Sequence, residues 1–169
     1  EFILKDNAPN SISSNNIKSL YLDKQTNLLV GTYNGGLNIL DGKSRRVLQF
    51  KNDPARKSSL SDNDIYSIVP QNDTLFWLGT HGGGLNLFNL KSGEFIHFRE
   101  GPEPGLSSDF IRVLYQDSKG NLWIGTQHGL NFLTAGDIKR NDIKFKHYFY
   151  DQQTLTGEDI LTIYEDSQS

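Results

Sequence analysis

The sequence predicts an all-β fold: a β-propeller of four-stranded antiparallel blades, present here as a partial ring. A motif of the form Leu-Trp-Ile-Gly-Thr recurs, an isoleucine stands upstream of each copy, and Gly-Leu-Asn follows each copy. The motif glycines are Gly31, Gly79 and Gly125, so successive copies are 48 and then 46 residues apart. Repeats of this length with four short strands are typical of propeller blades.

The upstream isoleucine is an anchor that keeps the same register in every copy. A Leu or Ile precedes it by five residues, and an Asp or Gln follows it by six. Because several independent positions keep one register, we interpret the pattern as a true internal repeat. The four anchors are Ile17, Ile65, Ile111 and Ile160.

Each repeat is predicted to contain four strands in a fixed order. The first begins at the anchor, and a turn such as 117–121, where Gly120 suits a positive φ, leads to the second. The third begins near Gly-Leu-Asn, and the fourth is rich in aromatic residues. Signals for helices are almost absent. The predicted strands are 17–22, 28–33, 37–40 and 47–50, then 65–69, one ending at Thr80, 85–89 and 95–98, then 111–116, one ending at Thr126, 130–133 and 145–148.

The same spacing defines the expected domain organisation. Complete blades are expected at 12–50, 60–98 and 106–148. Residues 1–5 are expected to form the last strand of a preceding blade, and 155–166 to contain the first strand of a following one. The rest of the ring is expected to come from sequence outside this chain.

The repeated motif also predicts how the blades pack. Each blade has a neighbour on both faces, which explains apolar runs in place of strict alternation. Trp77 and Trp123 are therefore predicted to lie in the core between blades. The glycine of each motif is predicted to allow close approach of the neighbouring backbone.

Composition excludes several classes of function. The net charge of −3 gives no general attraction to nucleic acid, so no nucleic-acid partner is expected. The chain has no cysteine, which excludes disulfides and thiolate metal sites. No apolar run is long enough to span a membrane.

These motifs resemble the two-component regulator propeller repeats. The matching pattern is Leu-Ser-x-x-x-Ile, then an Asp, then Leu-Trp-Ile-Gly-Thr-x-x-Gly-Leu-Asn, and residues 106–133 follow it nearly throughout. The second repeat departs from it with Gln71 in place of Asp, and the first with Leu29 in place of Trp. The resemblance covers nearly the whole chain.

The resemblance implies a function in signal transduction. Such repeats form the extracytoplasmic, periplasmic sensor region of hybrid two-component regulators, many of which sense oligosaccharides and control transcription. The chain is then expected to be a sensor rather than an enzyme, without a cofactor, and the kinase lies outside it. The expected partners are a small ligand such as an oligosaccharide, the remaining blades, and a second copy of the parent protein.

The candidate ligand site follows from the alternation of strand direction. The loops that enter the first strands and those that join the second and third strands share one rim, here called the upper rim. The framework repeats there while the side chains vary, which suits an asymmetric pocket on a symmetric scaffold. Tyrosines could stack on a sugar, and Arg, His and Gln could hydrogen-bond to a sugar or uronate. The alternative is that these are ordinary solvated loop residues. The candidates are Tyr33, Tyr66, His81, Arg112, Gln127 and His128, with Lys18 at the position aligned with Tyr66 and Arg112.

Other kinds of site find less support in the sequence. No metal site is expected, since no carboxylate stands at ligand-like spacing from His81 or His128. The 117–121 segment fits a hairpin turn better than a calcium loop. Two alternative functions stay open: a propeller lyase, which needs a histidine base and a cation, and a scaffold that binds proteins through an apolar patch.

Overall fold

Three four-stranded antiparallel sheets make up the chain in a computed structural model that describes residues 10–102, 104–149 and 157–166. Each sheet takes its four strands in chain order, which confirms the predicted propeller-type fold class. The first sheet contains β1 (Ile17–Leu22), β2 (Leu28–Thr32), β3 (Leu37–Leu40) and β4 (Val47–Phe50); the second β5 (Ile65–Pro70), β6 (Leu75–Thr80), β7 (Leu85–Asn89) and β8 (Glu94–Phe98); the third β9 (Ile111–Gln116), β10 (Leu122–Thr126), β11 (Gly129–Leu133) and β12 (Lys146–Tyr148).

One helix, α1 (Ala135–Arg140), was not expected from the sequence. It lies in the connection between β11 and β12. Thr134 caps its first turn, where the Thr134 hydroxyl accepts a hydrogen bond of 3.0 Å from the backbone N–H of Asp137, and Asn141 ends it in the left-handed conformation. These residues are ordinary start and stop signals, so the prediction that such signals are almost absent was wrong for this connection.

Close contacts at the motif glycines join adjacent sheets. A Cβ added at Gly79 would lie 2.5 Å from Cγ2 of Ile111, and one at Gly31 would lie 2.7 Å from Cγ2 of Ile65. The anchor of each blade therefore fills the space above the glycine of the blade before it. A backbone atom of the next blade also lies close at Gly31, where the added Cβ would be 2.9 Å from the carbonyl oxygen of Ile65, whereas at Gly79 the close neighbours are side chains.

The two tryptophans differ in burial. Trp77 is fully buried in a cluster with Leu85, Leu106 and Ile111, as predicted for an interblade residue. Trp123 is only half-buried, and its ring lies 4.3 Å from that of Phe132. Of the described residues, only the short segment 157–166 lies on the outer side of Trp123, so its burial between two blades stays a prediction.

The two predicted terminal strands have different outcomes. Residues 1–5 lie outside the described residues. Residues 157–166 are not assigned as a strand, because no described strand forms a ladder with them. Even so, Ile160 occupies the anchor position: a Cβ at Gly125 would lie 2.8 Å from its Cγ2. The segment thus docks on the third sheet as β5 and β9 dock on the sheets before them.

Candidate functional site

A repeated backbone hydrogen bond holds the loops of the upper rim. The residue after each second strand donates its N–H to the residue before the first strand of its own blade. The distances are 2.8 Å for Tyr33 to Asn16, 2.9 Å for His81 to Asp64, and 3.0 Å for Gln127 to Phe110. Three different side chains are therefore presented from equivalent positions.

A β-bulge places a second set of side chains on this rim. The register of each first strand shifts at the residue directly after the anchor, at Lys18, Tyr66 and Arg112. A bulge leaves one residue unpaired and redirects its side chain, and bulges often lie beside functional sites. The aligned position noted in the sequence thus has a structural basis that spacing alone did not reveal.

Four of the six predicted site residues, together with Lys18, form one continuous row across the three blades. Lys18 Nζ lies 5.5 Å from the ring centroid of Tyr33 and 5.5 Å from that of Tyr66. The Tyr66 ring stacks on His81 with centroids 4.8 Å apart and an interplanar angle of 16°. His81 Nε2 lies 2.7 Å from a guanidinium nitrogen of Arg112. We call these five residues the rim row.

Arg112 ends the rim row and is already paired within the chain. Its Nε and one terminal nitrogen donate to the two carboxylate oxygens of Asp159, at 3.0 and 3.2 Å. Because a guanidinium can only donate, His81 Nε2 must accept the third hydrogen bond, which leaves the ring proton on Nδ1. Arg112 therefore joins the rim row to the docked segment 157–166.

The carboxylates beneath the loops are engaged by backbone groups. Asp62 accepts a hydrogen bond of 2.7 Å from the N–H of Asp64, and Asp64 accepts one from the N–H of Asn34. Burial raises the pKa of Asp62, although this backbone hydrogen bond and the positive charge of Arg99 oppose the increase. These groups stabilise the loops that carry the rim row.

Gln127 and His128 lie one blade further along. Gln127 is half-buried and His128 is exposed, and the N–H of His128 donates to Thr126 Oγ1 at 3.1 Å. Neither side chain makes a hydrogen bond or ring contact with the rim row within the described part of the chain. The structure therefore groups Tyr33, Tyr66, His81 and Arg112 but does not join Gln127 and His128 to them.

The searched residues offer no arrangement suited to a metal. Within residues 10–102, 104–149 and 157–166, no three His, Asp or Glu side chains cluster as metal ligands would. The segment 117–121 forms a turn in which Asp117 accepts hydrogen bonds from Lys119 and Asn121, as interpreted from the sequence. No helix among the same residues is long and apolar enough to cross a membrane.

Sequence reasoning did not select one member of the rim row, Lys18, or two of its neighbours, Asp159 and Phe110. Lys18 was aligned with Tyr66 and Arg112 but not selected, Asp159 was not considered, and Phe110 packs edge-on against His81 at 5.1 Å. The bulge position was a usable signal for Lys18, because its alignment was visible. Nothing in the spacing indicated the pairing of Asp159 with Arg112.

Comparison with known families agrees with the repeat pattern. The profile described as "two component regulator propeller" matches residues 11–34 and 105–128. These segments run from before the anchor to just past the Gly-Thr of the first and third repeats.

Individual proteins that resemble this chain match it over part of their own length. A curated protein from Formosa agariphila, "Histidine kinase P4", is 40% identical over 60 residues, which cover 36% of this chain and 4% of that protein. The chain thus spans a small fraction of that relative. Among solved structures, PorZ, a surface component of the type-IX secretion system of Porphyromonas gingivalis, has a TM-score of 0.59 at 20% identity, over 84% of this chain and 21% of that one.

A second solved structure is the extracellular domain of a hybrid two component system from B. thetaiotaomicron. It gives a TM-score of 0.39 at 23% identity, over 78% of this chain and 23% of that one. The PorZ likeness shows a shared fold, and the family match rests on the repeats themselves.

Proposed function

We propose that this chain, a run of two-component regulator propeller repeats, is part of the extracytoplasmic, periplasmic sensor region of a hybrid two-component protein. The repeat family and the partial match to a histidine kinase support a signalling context. On this proposal the propeller binds an oligosaccharide at its upper rim and relays the signal to a kinase region outside this chain. The chain itself performs no chemistry.

The observation that carries this proposal is the rim row. Its backbone frame is the same in every blade, whereas its side chains differ from blade to blade. Constant loops with variable, mutually contacting side chains are the usual way in which a symmetric scaffold builds one specific site. These contacts favour a ligand site over ordinary solvated loop residues.

The chemistry of the rim row suits a saccharide. Tyr33 is 39% exposed, and its ring offers a stacking surface for the C–H face of a sugar. The Tyr66 ring is partly covered by His81, so it contributes an edge and its hydroxyl more readily than a free face. Gln127 and His128 extend the set of hydrogen-bonding groups to the next blade, where a longer oligomer would reach.

Calorimetry of the full-length protein against a panel of oligosaccharides tests this proposal. Tyr33→Ala and Tyr66→Ala should each weaken binding of any saccharide that binds the wild type. Tyr148→Ala is the matched control, because Tyr148 is also 39% exposed but lies on the outer strand β12. If both rim variants bind like the wild type, the upper rim is not the site. If the protein consumes its ligand, the lyase alternative replaces the sensor.

A further inference from the structure

We infer that Lys18 is an anion-binding residue and that the ligand of the upper rim is consequently an acidic saccharide, carrying a carboxylate or a sulfate. This inference rests on the proposed saccharide-binding function and specifies the class of ligand.

The environment of Lys18 is aromatic rather than acidic. Its ammonium lies 5.5 Å from the rings of Tyr33 and Tyr66, which belong to adjacent blades. A ring face attracts a cation through its quadrupole but supplies no counter-charge. Lys18 also forms no salt bridge with any of the described residues, in a chain whose net charge is −3.

Two arginines at or beside the rim row are already paired with carboxylates. Arg112 pairs with Asp159, and Arg99 pairs with Asp109 at 3.3 Å. An anionic ligand group that bound to either one would compete with a carboxylate that is covalently part of the chain. Lys18 has no such competitor within the described residues, so within the rim row it is the cation best placed to pair with a ligand.

Position adds to this argument. The bulge at Lys18 directs its side chain to the rim, and the two tyrosine rings hold the ammonium in place. Its three N–H donors favour the oxygens of a carboxylate or sulfate over a neutral hydroxyl, because hydrogen bonds between charged groups are stronger. A sugar that stacks on Tyr33 would present such a group to Lys18 at the same time.

The test uses the full-length protein and calorimetry with three forms of the same sugar skeletons. Oligomers of galactose, glucose and mannose are supplied as neutral sugars, as uronates and as sulfate esters. The variants are Lys18→Met, which removes the charge and keeps an apolar stem, and Lys18→Arg, which keeps the charge. Lys24→Met is the matched control. Lys24 lies in the turn after β1, on the opposite rim, and is already paired with Asp73.

We expect the wild type to prefer an acidic form, and the uronate and sulfate arms to identify which anion it is. Lys18→Met should lose about 10- to 100-fold in affinity for that form and bind the neutral sugar as the wild type does. Lys18→Arg should retain the preference, and Lys24→Met should match the wild type.

Two results would overturn the inference, and they distinguish a wrong role for Lys18 from a wrong saccharide function. If a neutral sugar binds as well as the acidic forms, Tyr33→Ala abolishes binding and Lys18→Met has no effect, then the saccharide function stands and the role of Lys18 is wrong. If no sugar in any form binds the wild type, the proposed function fails together with this inference.

Discussion

The carboxylate of Asp117 accepts a hydrogen bond of 2.9 Å from the indole nitrogen of Trp123, six residues further along the chain. Burial alone would raise the pKa of Asp117, but hydrogen bonds from Asn121, Trp123 and Lys119 hold that pKa below its usual value of 3.8. The repeat places Asp and Trp at a spacing that lets the turn before β10 hold the indole ring of the Trp by a hydrogen bond. In the second blade Gln71 replaces the Asp, and both Gln71 Oε1 and Trp77 Nε1 are buried without a hydrogen-bond partner.

Gln71→Asp should therefore stabilise the protein. The shorter, charged side chain restores the acceptor that Trp123 has, and a buried N–H without a partner costs about 1–3 kcal/mol. We expect the free energy of unfolding of the full-length protein to rise by about 1 kcal/mol in urea titrations. Asp117→Gln is the reciprocal control and should destabilise. An unchanged Gln71→Asp variant would mean that water already satisfies the Trp77 indole.

Asp117→Asn should weaken the fold in a pH-dependent way. The folded state lowers the pKa of Asp117, so its contribution to stability is present above the unfolded value of 3.8 and is lost as the pH falls through the folded value. We expect the variant to be less stable than the wild type at pH 7, and the gap to narrow as the pH falls below 3.8. Denaturant titrations at several pH values measure this gap, and a constant gap would contradict the assignment.

Most of the fold could be predicted from the sequence, because its determinants are local and repeated. The anchors, glycines and Asp positions recur in register, so the strand order and most strand ends followed from spacing. The helix α1 could not be found in this way, because it occurs in one repeat only and its Thr134 cap has no counterpart in the others. The burial of Trp123, like that of Trp77, was predicted from its place in the motif, but it depends on what lies on the outer side of the ring.

Gly79→Ala should destabilise the packing between the second and third blades. The new methyl would lie 2.5 Å from Cγ2 of Ile111, and a buried anchor has no room to move aside. Overpacking of this kind costs roughly 1–3 kcal/mol. The control is Gly101→Ala, because nothing lies within 4 Å of a Cβ at that position. Equal stability of the two variants in thermal unfolding would show that the interface between blades is loosely packed.

Asp62→Asn should stabilise the upper rim at neutral pH. Burial raises the pKa of Asp62, so the folded state disfavours ionisation more than the unfolded state does. Stability is therefore lost as the pH rises from 3.8 through the raised value, and an amide, which can still accept the Asp64 N–H, avoids that loss. We expect a gain of less than about 1 kcal/mol at pH 7, since solvent screens this partly exposed group. The gain should vanish below pH 3.8.

The candidate site was less predictable than the fold, for a physical reason. Variation at aligned positions indicated Tyr33, Tyr66, His81 and Arg112, because side chains on equivalent frames lie near one another. Contacts between non-equivalent positions, such as Arg112 with Asp159, depend on side-chain rotamers and on the docking of one blade against the next. A repeat pattern contains no information about these contacts, so only the structure shows which charged side chains of the rim are paired.

Arg112→Ala should release one end of segment 157–166 and leave the other end in place. Arg112 holds Asp159 through two hydrogen bonds, and the N–H of Ile160, beside it, donates to Thr126 at 2.9 Å. At the far end Glu165 accepts a separate hydrogen bond of 2.7 Å from Ser118. Hydrogen exchange of the full-length protein should therefore show faster exchange at Ile160 in Arg112→Ala.

Further variants in the same experiment isolate the contribution of the Arg112–Asp159 pair. Asp159→Ala should have a similar effect at Ile160, and a double-mutant cycle should give a coupling of about 1 kcal/mol, since the pair is bidentate but partly exposed. Arg140→Ala, which removes a surface pair with Asp137, is the control and should leave Ile160 unchanged. Unchanged exchange at Ile160 in both Arg112→Ala and Asp159→Ala would mean that the anchor contact with Gly125 alone docks the segment.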